Sequence, residues 1–216
     1  MRVLCLFEQS GTFKSAFQAN GHVARDIDIE NRFNAADIQI DLFKAIETHE
    51  IDNYLRPYDL IMAFFPCTWF SVQNDLILSG KHWSMRNWSV EKRAAYMDKR
   101  LAERAYATDI LHKLVRTCHW LKKPLIIENP TSPYTRSILG EPYLSHTRNK
   151  YGDYFRKPTD WYCFGNVIIN EKKLIRTDTE PTSKITDIKN NKDRKINRSL
   201  ISPLYADNIV RAIEVF

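Results

Sequence analysis

Several things are missing from this 216-residue chain, and each absence narrows what it can be. No apolar run approaches the roughly 20 residues that a membrane-spanning helix needs, so no membrane partner is expected. The opening stretch, MRVLCLFEQSG, turns polar too soon for a signal peptide, and an intracellular protein is expected. The four cysteines, Cys5, Cys67, Cys118 and Cys163, are far apart and include no CxxC pair. That argues against a disulfide scaffold and against a local zinc motif, and leaves reduced thiols that can be reactive. The six histidines form no ligand set, so no metal is expected. There is no internal repeat and no low-complexity segment.

What is present fits an ordinary globular domain, with 44% hydrophobic and 27% charged residues. The net charge of +6 permits a polyanionic partner without demanding one. Much of the excess lies in residues 170–198, which hold nine Lys or Arg against five Asp or Glu. This stretch reads either as a solvated loop or as an arm that touches phosphates.

Strand-like and helix-like patterns alternate along the first two thirds. Residues 2–7 (RVLCLF) form a short apolar run, and residues 13–20 read as a helix. Residues 22–27 and, more weakly, 38–42 read as strands. Residues 58–65 (YDLIMAFF) form a continuous apolar run, as expected of a strand buried on both faces. Residues 90–121 contain no Gly or Pro and carry apolar side chains at helical spacing. Residues 125–127 give another buried strand, and Val167–Ile169 a later one. The pattern loosens beyond Pro130, and residues 199–216 read as a closing helix with Pro203 near its first turn. Alternation of this kind implies an α/β fold, with a mostly parallel sheet and helices on both faces.

In such a sheet, ligands bind beyond the carboxyl ends of the strands. Three chemically suggestive stretches fall there. In the first, FEQSGTF, Gly11 permits a tight turn and the next helix offers free N–H groups for a carboxylate or phosphate. The plain alternative is an ordinary turn. The acids Asp26, Asp28 and Glu30 follow the second strand, where an acid binds ribose hydroxyls or merely caps a loop. The second stretch is Pro66-Cys67-Thr68, which presents a thiol at the sheet edge, suited to nucleophilic attack. The third is Glu128-Asn129-Pro130, where a carboxyl group leaving an apolar strand suits proton donation. Asn129 is placed to orient Glu128 or to hydrogen-bond the Cys67 loop.

Taken in order, Phe7-Glu8-Gln9-Ser10-Gly11, Asp26, Pro66-Cys67-Thr68-Trp69-Phe70-Ser71 and Glu128-Asn129-Pro130 resemble the DNA cytosine-5 methyltransferases, in the short form carried by phages and prophages. Asp37-Ile38 resembles the family's adenine-contacting Asp, and Ile201-Ser202-Pro203-Leu204 its last motif. The resemblance implies a Rossmann-like fold that binds S-adenosylmethionine, in the cytoplasm of a bacterium or a phage-infected cell. Residues 1–130 would be the catalytic and cofactor-binding core. Residues 131–198 would be a reduced target-recognition region, and 199–216 a helix returning to the core. Phe7, Ser10, Gly11, Asp26, Asp37 and Pro66 would line the cofactor, and Thr68, Ser71 and Lys157 the substrate. Cys67 would attack carbon 6 of a flipped-out cytosine, with Glu128 at ring nitrogen 3 and Asn129 beside it. Arg156, in Arg156-Lys157-Pro158-Thr159, would support the nucleophile, although the family's Q-R-R-x-R form is absent. Duplex DNA is the expected partner, in preference to single strands.

Three departures stand out. Gln9 replaces the first glycine of the family's F-x-G-x-G loop, E-N-P replaces E-N-V, and few residues remain for target recognition. They keep open two alternatives: a methyltransferase for RNA or a pyrimidine nucleotide, and a catalytically silent nucleic-acid-binding or anti-defence phage protein. Aromatic and basic residues interleave between Tyr134 and Tyr154, either to stack bases or to fill a small core.

Overall fold

The computed structural model describes residues 1–31, 33–177 and 200–216. Its centre is a seven-stranded sheet. The strands are β1 (Arg2–Leu6), β2 (Val23–Asp28), β3 (Ile38–Gln39), β4 (Leu60–Ala63), β5 (Leu125–Pro130), β6 (Leu144–Thr147) and β7 (Pro158–Phe164). Their spatial order is β3-β2-β1-β4-β5-β7-β6. The first five are mutually parallel, and β7 runs antiparallel to β5 and to β6. The α/β class with a mostly parallel sheet is therefore as expected.

Side chains of the central strands alternate between two cores, as the pleat dictates. Leu4 and Leu6 of β1, Ile61 and Ala63 of β4, and Leu125 and Ile127 of β5 face one core. That core is covered by α2 (Leu42–Glu47), α3 (Ile51–Leu55) and α5 (Val90–Trp120). Val3, Cys5, Leu60, Met62 and Ile126 face the other. Phe13 and Phe17 of α1 (Thr12–Ala19) and Tyr205, Ile209 and Val210 of α7 (Pro203–Ala212) close it. This is why the central runs are apolar throughout rather than alternating.

Several boundaries differ from the sequence reading. The weak strand at 38–42 keeps two residues, because Asp41 caps α2 by accepting from the Phe43 and Lys44 amides. Strand β5 continues past Ile127 to Pro130, because antiparallel β7 supplies partners for Glu128 and Asn129. The closing helix ends at Ala212, and β9 (Ile213–Val215) then pairs with β8 (Val167–Ile169). Pro203 does occupy the first turn, with Ser202 as its cap.

The sheet also runs across the boundary expected at residue 130. Strands β6 and β7, both beyond it, complete the sheet, with α6 (Pro133–Leu139) leading into them. Residues 131–177 are thus largely part of the core layer. The rest of the expected recognition region, 178–198, lies outside the described residues.

Candidate active site at the carboxyl edge of the sheet

The strand order turns back between β1 and β4, which places a crevice beyond their carboxyl ends. The β1–α1 turn, the segment after β4 and the end of β5 all converge on this edge.

Cys67 lies four residues past the end of β4 and is half-buried, with its thiol not engaged in a disulfide. Its carbonyl accepts the amides of Phe70 (3.1 Å) and Ser71 (3.0 Å), which folds Cys67–Ser71 into a tight turn. From one side, Asn129 Nδ2 donates to the Phe65 carbonyl at 2.9 Å, a buried bond that ties the root of the loop to β5. From the other side α5 reaches in. Arg100 donates to the Thr68 carbonyl (2.9 Å) and Arg104 to the Trp69 carbonyl (2.8 Å). Arg104 also pairs with Asp75 of α4 (Val72–Leu78) and lies 3.7 Å over the Tyr134 ring. Asn74 adds a second donor to the Trp69 carbonyl at 2.9 Å. The loop is therefore fixed from three elements. Thr68 is exposed, and Pro66 and Ser71 are half-buried beside the thiol.

The other three thiols are poor nucleophile candidates. Burial pushes Cys118 and Cys163 up to about 12. Cys5 is also raised well above the ordinary range, first by burial and then by the neighbouring Glu8.

Glu128 lies on β5 one position past the Ala63–Ile127 pairing of β4 and β5. Only 6% of it is exposed, and its Oε1 makes no hydrogen bond among the described residues. The nearest cation is Arg148, whose Nη1 stands 4.0 Å from that oxygen. Arg148 is itself 1% exposed, pairs with Asp153, and lies 5.2 Å over the ring of Tyr205 on α7. Asp153 in turn accepts the Ser202 amide at 3.0 Å, so the start of α7 locks the group. The Tyr205 hydroxyl accepts from Trp161 (3.2 Å) and lies 2.7 Å from His146 Nε2. Burial and then Arg148 push His146 down to about 4, so its ring is neutral at pH 7.

Arg156, expected beside the nucleophile, is instead exposed on the segment leading into β7. Lys157 is half-buried, and its carbonyl accepts the Arg148 amide at 3.1 Å. Arg148 is thus the cation that sequence reasoning missed. Its neighbours Thr147, Asn149 and Lys150 are polar, and nothing local marks it as buried. Likewise His146, Arg148 and Tyr151 belong to a packed cluster rather than an open stacking surface, whereas Tyr143 and Tyr154 are exposed.

The β1–α1 turn departs furthest from expectation. Glu8 is 4% exposed, and its carboxylate accepts the amides of Phe13 and Lys14 (3.1 Å for the latter). The protein's own side chain therefore fills the anion seat at the start of α1. Desolvation raises Glu8 to about 7, against the lowering effect of those two amides. Gly11 has φ +63°, yet a Cβ there would meet Ala35, Lys14 and Asp26 at 3.1–3.4 Å. Its missing side chain makes room for the protein, not for a ligand. Asp26, expected on the cofactor, is fully buried in an ion pair with Lys14 at 2.9 Å. Lys14 also reaches Asp37 at 3.2 Å. Asp26 sits two residues inside the strand end, which is why it has no surface to offer. Ser10 bonds Thr12 at 2.8 Å, and Gln9 leans across to Glu30 at 3.4 Å, so it lies along the β1–β2 lip.

Phe7 is the one strained position in this turn, with φ +61° on a bulky residue. Its ring packs edge-on against Phe65 (5.1 Å) and Phe43 (6.0 Å), beneath the Cys67 loop. Beyond β2 the rim is different in character. Asp28 ends the strand, Ile29 and Phe33 are exposed, and Asp37 keeps 37% of its side chain accessible. The amino-acid end of an adenosyl cofactor does not find its expected seat at α1, because Glu8 occupies it. Among the described residues no cluster of His, Cys, Asp and Glu could hold a metal. No protein-family model matches the chain, and no curated protein matches it in sequence.

Proposed function

We propose that this protein is a Rossmann-like, S-adenosylmethionine-dependent methyltransferase that modifies carbon 5 of cytosine in DNA through a covalent bond to Cys67. One observation carries the reading: a fixed, half-buried thiol loop is hydrogen-bonded by Asn129 to the strand that holds Glu128, a buried carboxyl group whose Oε1 accepts no hydrogen bond among the described residues. A buried polar atom without a partner is costly, and a ligand donor or acceptor relieves it. Cys67 bonds to carbon 6 of the ring. Glu128 meets ring nitrogen 3, so that charge does not accumulate there. Arg148, itself held by Asp153, is the cation beside Glu128. A bound S-adenosylmethionine would supply the methyl group and leave as S-adenosylhomocysteine, and the exposed Ile29 and Asp37 would hold its adenosine. Loss of the carbon 5 proton and elimination of Cys67 restore the enzyme.

A second reading, a nucleic-acid binder that does not transfer methyl groups, is favoured by Glu8 in the α1 seat. Incubation with a 5-fluorocytosine oligonucleotide and S-adenosylmethionine separates the two. The first expects a denaturation-resistant protein–DNA adduct that Cys67→Ser abolishes. Oligonucleotide binding without any adduct refutes it in favour of the second.

A further inference from the structure

The segment between the Cys67 loop and the buried part of α5 stands apart from the core. None of the buried side chains of α5 comes before Arg104, so residues 90–103, about 20 Å of helix, contribute no buried side chain to the core. Helix α4 packs against α5, and the short 3₁₀ turn Trp83–Met85 follows α4 in the chain. The arm is ordered by its own packing. Met85 is fully buried, and the Trp88 and Tyr96 rings meet edge-on at 5.3 Å. Arg100 and Asn74 lock together at 2.7–3.0 Å at its root.

Its surface is basic and aromatic. Residues 79–101 hold six Lys or Arg against two acids. Lys81, Arg86 and Lys92 are exposed, Lys92 with its ammonium 4.7 Å over the Trp88 ring, and Trp83 is 71% exposed. An exposed aromatic ring near cations combines the stacking face and the positive charge that a nucleic-acid strand recognises. From this geometry we infer that the arm is a binding surface for an unpaired nucleic-acid strand. Lys81, Arg86 and Lys92 contact phosphates, a base stacks on Trp83, and the strand is led to the Cys67 loop at the arm's root. Stacking on an open ring needs an unstacked base, which a duplex does not offer. The inference rests on the reading of a nucleic-acid substrate, but not on methyl transfer.

The test compares fluorescence anisotropy of a labelled oligo(dT) 20-mer and of a 20-bp duplex, titrated with the full-length protein across a salt series. The wild type is expected to prefer the single strand. Trp83→Ala should weaken that binding roughly tenfold. Combined Lys81→Gln, Arg86→Gln and Lys92→Gln should reduce the slope of log K against log salt by about 2, at about 0.7 for each phosphate that is no longer neutralised. These positions are on the surface, and unchanged thermal melts verify that the variants fold. Unaltered single-strand affinity and salt slope in both variants overturn the inference. So does a duplex preference that both variants retain, or a dimer by sedimentation that dissociates in Trp83→Ala while oligonucleotide affinity is unchanged. In each of these cases the fluorocytosine adduct assay is read separately, so failure of the arm and failure of Cys67 chemistry are told apart.

Discussion

Replacing Glu8 with Gln removes a carboxyl group that burial has raised from its ordinary value of 4.5 to about 7. In the unfolded chain this group ionises near its ordinary value, and in the folded protein only near neutrality. Between those limits the unfolded state holds fewer protons, so folding stability falls as pH rises through the window and is flat on either side. A displacement of about 2.5 units, at about 1.4 kcal/mol each, makes the fall about 3 kcal/mol. The glutamine carbonyl can accept only one of the Phe13 and Lys14 amides, and the other loses its partner for roughly 1 kcal/mol. Glu8→Gln is therefore expected to be about 1 kcal/mol less stable than the wild type at pH 4. It should be about 2 kcal/mol more stable at pH 8. Urea unfolding of both proteins at intervals from pH 4 to pH 8 measures this difference directly. His146, lowered to about 4, titrates alike in both proteins and cancels in the subtraction. A stability difference that stays constant across the range refutes the assignment of Glu8 as a buried, proton-retaining cap of α1.

Other positions give independent checks. Lys14→Met leaves Asp26 buried without its cation and removes the same cation from Asp37. A loss of about 3–5 kcal/mol in urea unfolding is expected, recovered in large part by adding Asp26→Asn. Arg104→Leu removes the donor to Trp69, the pair with Asp75 and the cation over Tyr134 together. It should lower stability by about 2–4 kcal/mol and reduce adduct yield at Cys67 even under conditions where the protein stays folded. At Gly152 φ is +102°, and a Cβ would lie 2.8 Å from Leu204 Cγ. Gly152→Ala should thus lower the melting temperature, at about 1–3 kcal/mol, by pushing α7 off the turn before Asp153.

The sequence alone carried the frame of the site. The apolar runs in β1, β4 and β5 are legible because parallel strands covered on both faces must be apolar along their length. Once those strands are parallel, Phe7–Gly11, Cys67 and Glu128 fall at the same edge without further information. Asn129 was likewise legible as a brace, because a polar side chain at the end of a buried strand must find a partner. Strands β6 and β7 were not legible. Their alternation of Thr159, Asp160, Trp161 and Tyr162 becomes a strand only when β5 offers an edge to pair with. The identities within the site depended on the same long-range packing. Arg148 becomes the cation near Glu128 because Asp153 and the start of α7, fifty residues on, bury it. Asp26 and Gly11 become structural because Lys14 and Ala35 close over them. Residue types and their order set which chemistry can occur at an edge. Whether a charge is buried, paired or left open is decided by groups brought there from distant parts of the chain, and only the folded structure contains those distances.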